Sequence, residues 1–256
     1  MIARALAVCM MVLGATAGAH AAEVVPQLSA DRIEITSNFK GAELILFGAI
    51  RDGPAPFLEQ DFLDIVVVLR GPPSTVTVRR KERRAGILVN GAGLTFEHVP
   101  GFYFVASRRP LDITAPPEVL KAFEIGTQNL NVSPQPGASE ADPATVAELR
   151  QAIIERKRRQ GLYQDNPGAI KVREETLFRT RIEVPSSVPV GEFKARVFLL
   201  RDGRVLHNDE VQLQVDKIGI ERLLFNFAHN WGFVYGLTAV LFAIFAGWIA
   251  SVIFRR

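Results

Sequence analysis

Residues 231–254, WGFVYGLTAVLFAIFAGWIASVIF, contain no charged side chain and are followed only by Arg255 and Arg256. As a helix this run is roughly 35 Å long at 1.5 Å per residue, enough to cross the hydrocarbon core with some tilt. The stretch is therefore predicted to be a transmembrane helix. Two terminal arginines place its far end in the cytoplasm, and Trp231, Tyr235 and Trp248 fall where interfacial aromatics are expected. Everything N-terminal to it then has to be accounted for as one body on the other side.

The N-terminus fits that placement. Residues 1–22 carry one basic residue, Arg4, an apolar run from Ala5 to Ala15 and small residues before Glu23, the layout of a cleavable secretory signal with cleavage after Ala21 or Ala22. A retained anchor, or a lipid-attached Cys9, is the alternative; the apolar run before Cys9 is short for a lipid-attachment signal. Together the two ends predict a single-pass protein of the inner membrane, with its bulk periplasmic and a cytoplasmic tail of residues 255–256.

Charge and cysteine usage narrow the partners. Setting aside Arg4, Arg255 and Arg256 leaves 27 basic against 27 acidic residues in the body, so the basic character of the whole chain supplies no field for nucleic acid. Cys9, the only cysteine, leaves with the signal, so neither disulfides nor thiol chemistry is expected of the mature chain. A body of about 200 residues can bury a core without such staples.

Within the body the pattern is mainly β. Stretches rich in Val, Ile and Phe at 44–50, 62–69, 75–78, 87–89, 102–106, 180–184, 193–200 and 205–215 are separated by Gly, Pro and Asp turns. In 192–199, Phe193, Ala195, Val197 and Leu199 share one face while Glu192, Lys194 and Arg196 share the other. Asp202-Gly203 then predicts a tight hairpin. Two strand-turn-strand units are near-copies: RIEITS (32–37) leads to GAELILFGAIRDG (41–53), and RIEVPS (181–186) leads to GEFKARVFLLRDG (191–203).

The intervening segment changes character. Thr114-Ala-Pro-Pro-Glu118 opens a short helix ending at Gly126, residues 131–143 form a polar, proline-rich loop, and Asp142-Pro143 starts a second helix stopped by Gly161. The expected architecture is an immunoglobulin-like β-sandwich built from residues 23–115 and 171–216. A helical insertion at 116–170 interrupts it, a juxtamembrane helix follows at 217–230, and the transmembrane helix occupies 231–254. Two small β domains are the alternative.

The segments ADRIEITSNFKGAELILFGAI, RRKERRAGILVNG and TFEHVPGFYFVASRRPL, taken with the single C-terminal helix, resemble the predicted transmembrane proteins described from alphaproteobacteria. The resemblance covers nearly the whole chain. It brings no catalytic residues with it; it implies an accessory membrane protein, since members are often encoded beside permeases of the sulfite-exporter type.

Residue-level chemistry is sparse. His98, His207 and His229 have no second ligand at metal spacing, no nucleophile elbow or phosphate loop is present, and no cofactor is expected. Asp61 with Asp64, Glu174 with Glu175, and Asp209 with Glu210 read as solvated strand ends. Arg79, Arg80, Lys81, Arg83 and Arg84 read as a hairpin tip or charged edge, able to meet an anion or lipid headgroups. Gly232, Gly236, Ala239, Ala243, Gly247 and Ser251 fall in one sector of the apolar helix, a surface on which an inner-membrane protein or a second copy could pack. The expected function is a non-enzymatic accessory or scaffold for such a partner. A ligand or anion receptor using the arginines, and a hydrolase with an unfamiliar site, are the alternatives.

Overall fold

A computed structural model describes residues 22–36, 39–51, 63–84, 86–135, 142–174, 176–217, 229 and 232–253. In chain order the elements are β1 (Glu23–Leu28), β2 (Arg32–Ile35), β3 (Gly41–Arg51), β4 (Leu63–Arg70), β5 (Pro73–Arg84), β6 (Ile87–Pro100) and β7 (Tyr103–Ser107). Then follow α1 (Leu111–Thr114), α2 (Pro117–Ala122), β8 (Ser133–Pro134), α3 (Pro143–Arg159), β9 (Tyr163–Pro167) and β10 (Lys171–Arg173). The chain closes with β11 (Leu177–Pro185), β12 (Gly191–Arg201), β13 (Arg204–Lys217) and α4 (Gly232–Ile253).

The strands form a four-stranded sheet ordered β1-β3-β11-β10, a six-stranded sheet ordered β2-β13-β12-β4-β7-β9, and a three-stranded sheet ordered β5-β6-β8. The near-copied units use both larger sheets in opposite senses. β2 lies in the six-stranded sheet and leads to β3 in the four-stranded one, whereas β11 lies in the four-stranded sheet and leads to β12 in the six-stranded one. β3 and β11 pair directly, Glu43 opposite Glu183, with Arg181 bridging to Glu43 at 3.4 Å. Sequence similarity thus marks two strands that must each have one buried face, placed on either side of a shared core.

That core is apolar and continuous. Leu44, Leu46 and Ile182 of the four-stranded sheet belong to the same buried cluster as Phe193, Ala195, Val197 and Leu199 of β12. The alternation expected in β12 holds as far as Arg196; beyond it Phe198 and Leu200 are also buried, because the Phe123 ring after α2 lies 5.5 Å from that of Phe198. Gly48 of β3 is held by space: a Cβ there would stand 2.5 Å from the Val25 carbonyl oxygen and 2.6 Å from the Phe178 ring. The Asp202-Gly203 turn has φ of 49° and 76°, the paired positive values a two-residue hairpin requires.

The second expected helix is α3, with the Asp142 carboxylate accepting from the Thr145 N–H at its start and Gly161, φ 70°, past its end. The segment 116–170 is nevertheless not purely helical. It contributes β8 to the third sheet and β9 to the edge of the six-stranded sheet, where β9 runs parallel to β7. Tyr163 holds that edge: its ring centroid is 6.0 Å from that of Tyr103 and its hydroxyl donates to the Pro100 carbonyl at 2.9 Å.

Asp64 departs from its sequence reading. It is buried, not a solvated strand end, and the Arg109 guanidinium grips both its oxygens, with Nε 2.8 Å from Oδ1 and Nη2 on Oδ2. This hydrogen bond also raises the Arg109 pKa above its ordinary value. A buried carboxylate needs such a partner, and the partner comes from 45 residues away. Residues 1–21, Asp61, Glu175, most of 217–230, Trp231 and 254–256 lie outside the described residues, and with them the signal, the juxtamembrane helix and the tail.

Candidate functional site

α4 presents an uncovered apolar surface along its length. It has 22 residues, roughly 33 Å of helix, with no residue of Gly232–Ile249 buried. Phe233 is 86% exposed and Phe242 76%, an arrangement that water does not tolerate and lipid does. The Thr238 hydroxyl is satisfied within the helix by the carbonyls of Val234 and Tyr235 at 2.9 and 2.8 Å. Of the predicted stripe, Gly232, Gly236 and Gly247 have open space where a Cβ would be, and Ala243 is exposed. Ala239 and Ser251 lie in the same helix.

The basic run is placed on β5, in a long hairpin with β6. Arg79, Arg80, Lys81 and Arg83 are exposed; Arg84 is the last residue of β5. β8 supports β6 only at Phe96 and Glu97, so the outer part of the hairpin is a two-stranded ribbon. Arg80 reaches Glu148 of α3 at 3.7 Å, an exposed pair of little energetic weight.

A third feature had no signal in the sequence. Beside β7 and β9 a cavity of about 430 Å³ opens, walled by Val105, Leu111, Ala115, Pro117 and Leu120. Its polar edge includes Thr127 and Asp165. The Thr127 N–H donates to Asp165 Oδ1 at 3.0 Å and its hydroxyl donates to Oδ2, while Arg158 of α3 donates to the Thr127 hydroxyl oxygen and, at 2.8 Å, to Asp165 Oδ2. Behind this edge the Tyr103 hydroxyl donates to the Glu124 carbonyl and accepts from the Gly126 N–H at 3.0 Å, while Arg70 pairs with the Glu124 carboxylate. Burial pushes the Tyr103 hydroxyl well above its ordinary pKa, which keeps it a donor. These contacts fix the backbone at Glu124 (φ 53°) and Gly126 (φ 96°) that shapes the rim.

Chemically the cavity offers an apolar hollow with hydrogen-bonding groups along one side. The Ser107 hydroxyl on its wall is spent on the Arg109 carbonyl. Elsewhere, the His207 Nδ1 accepts from the Val24 N–H at 3.2 Å, tying β13 to β1, and His98 occupies a positive φ of 56° in β6. Among the described residues there is no group of three His, Cys, Asp or Glu side chains that could hold a metal ion.

The family described as "Putative transmembrane protein (Alph_Pro_TM)" matches residues 23–256. The chain belongs to this transmembrane family. Membership agrees with the one described helix long and apolar enough to cross a membrane, so α4 is the anchor of a membrane protein. No curated protein matches the chain. Among solved structures, the crystal structure of Spo0M, a sporulation control protein from Bacillus subtilis, is 14% identical, with 77% of this chain and 49% of that chain covered and a TM-score of 0.27. The chain spans about half the length of that protein, and the likeness is too slight to bear on fold or function.

Proposed function

We propose that this member of the transmembrane family is a non-enzymatic accessory protein, which holds a periplasmic β body at the inner membrane and binds a membrane partner through α4. The observation that carries this reading is the helix itself: uncharged, uncovered along its described length, and open at Gly232, Gly236 and Gly247 where another helix can approach closely. The signal-like N-terminus and Arg255-Arg256 favour a periplasmic body and a cytoplasmic C-terminus. The partner is a transporter, such as a permease of the sulfite-exporter type, or a second copy of the chain.

The strand order supports an immunoglobulin-like reading of the body. Lettering β1, β3, β10 and β11 as A, B, D and E, and β4, β12 and β13 as C, F and G, gives an ABED sheet against a CFG sheet, with β2 as a further strand beside G.

Copurification tests the function. Full-length protein is crosslinked in its native membrane and isolated beside a variant with Gly236, Ala243 and Gly247 changed to Leu. One membrane protein recovered with the first and lost from the second, the body still folded in both, is the expected result. Identical recovery from both would reduce α4 to a tether. A second reading, a periplasmic receptor, is favoured by the cavity: an apolar hollow edged by Thr127 and Asp165, which Arg158 holds in place, has the make-up of a small-ligand pocket. The arginines expected to serve a receptor stand on the ribbon instead.

A further inference from the structure

The hairpin of β5 and β6 joins an apolar root to an outer part that mixes basic residues with exposed apolar ones. Val76, Val78 and Leu94 pack against the core near its root. On the same face but further out lie Ile87 and Val89, opposite Arg84 and Glu82 in the register, and these are 68% and 37% exposed. Register partners share a face, so this one also takes Glu82 and Arg84, with Arg80 before them, and the exposed apolar pair stands among charged positions near the tip. On the opposite face Arg79, Lys81 and Arg83 stand in a row, all exposed.

The root of this ribbon lies at the end of the sandwich from which the chain departs for the membrane. Arg70 at the end of β4 is opposite Lys194, and Gly191 three residues earlier is opposite Val215, two residues before β13 ends at Lys217. Pro72 and Gly101 close the root through a 2.8 Å hydrogen bond, and Gly191 is stacked on the Pro72 ring. From Lys217 only the residues 218–231 intervene before α4, a span of at most about 50 Å. β5 is itself roughly 40 Å long.

We infer that the tip of the β5–β6 ribbon is a second membrane contact, which brings the exposed Arg79, Lys81 and Arg83 to the phosphates of anionic lipid beside the anchor and dips Ile87 and Val89, next to the turn, toward the acyl boundary. Long arginine and lysine stems let their charges reach phosphates while Ile87 and Val89 of the same tip dip toward acyl chains. Three such charges each add roughly fivefold to partition onto an anionic surface. The inference rests on α4 spanning the membrane.

Full-length protein reconstituted in vesicles containing a brominated phosphatidylcholine tests it, with a fluorophore on Ile87→Cys and, as the reference, on Leu206→Cys. Leu206 is exposed near the start of β13, the far end of that strand from Lys217. With about one-third phosphatidylglycerol present, quenching at position 87 is expected to exceed that at 206 at least threefold. It should fall to the reference level in neutral vesicles, in about 0.5 M salt, or on changing Arg79, Lys81 and Arg83 to Gln. Equal quenching at both positions, or quenching at 87 indifferent to lipid charge, would overturn the inference. Flotation with neutral vesicles, to which the ribbon adds no binding, separates this from failure of the anchor, since without α4 in the bilayer neither labelled protein floats there.

Discussion

β4 and β5 are joined at Gly71-Pro72 and use a strand in opposite ways. β4 buries all its residues but Arg70, one face toward the four-stranded sheet and the other beneath the segment after α2. β5 buries none of its described side chains fully and ends in a run of basic residues. The difference lies in neighbours: β4 is flanked by β12 and β7, whereas the outer part of β5 has β6 alone. A strand flanked on both sides and covered on both faces carries the stability of the body; a ribbon with one partner is free to carry surface chemistry.

This contrast predicts a steep order of mutational effects. Asp64→Ala should be the most damaging, since it leaves the Arg109 guanidinium against β4 without its carboxylate. A loss of about 3–5 kcal/mol is expected in denaturant unfolding of the detergent-solubilised protein. Next is Gly48→Ala, where the new methyl must displace the Val25 carbonyl or the Phe178 ring, costing about 1–3 kcal/mol by the same assay.

Lys157 yields a smaller, pH-dependent effect. Burial, with Arg156 adding repulsion, pulls its ammonium below the ordinary lysine pKa. The folded protein therefore releases this proton more readily than the unfolded chain. Stability should rise as pH climbs from the lowered folded pKa toward the ordinary lysine value, with the penalty fully present below the folded pKa. Lys157→Met is expected to flatten that slope and to change stability at neutral pH by no more than about 1 kcal/mol, read from unfolding midpoints across pH.

Smallest of all should be the joint change of Arg79, Lys81 and Arg83 to Gln. Within about 0.5 kcal/mol of the parent protein is expected, because these side chains touch solvent and not core. A large destabilisation there would erase the distinction between body and ribbon.

Much of the body could be read from local pattern. Strands β3, β4, β11, β12 and β13 announce themselves through β-branched and aromatic residues, and the Asp142 cap and Gly161 stop bound α3 because capping is decided within a few residues. The arginine run was likewise legible as a hairpin feature, since turn and charge lie close in sequence. What escaped was nonlocal. β9, reading YQDNP, contains no β-branched residue and is a strand because β7 and the Tyr103 and Tyr163 rings hold it there. Asp64 resembled a solvated carboxylate until Arg109 was placed beside it. The cavity takes its walls from β7, α1, α2, the turn at 126–129 and β9, with no motif in any of them.

In the proposed function α4 is a docking surface and not only a tether. Photo-crosslinking residues placed singly at Gly236, Ala243 and Gly247, and for comparison at Phe242, Phe245 and Ile249, test this in the native membrane. Adducts with one membrane protein, or with a second copy of the chain, are expected from the small-residue positions and far fewer from the bulky ones. Lipid adducts alone, in equal yield from both sets, would contradict it.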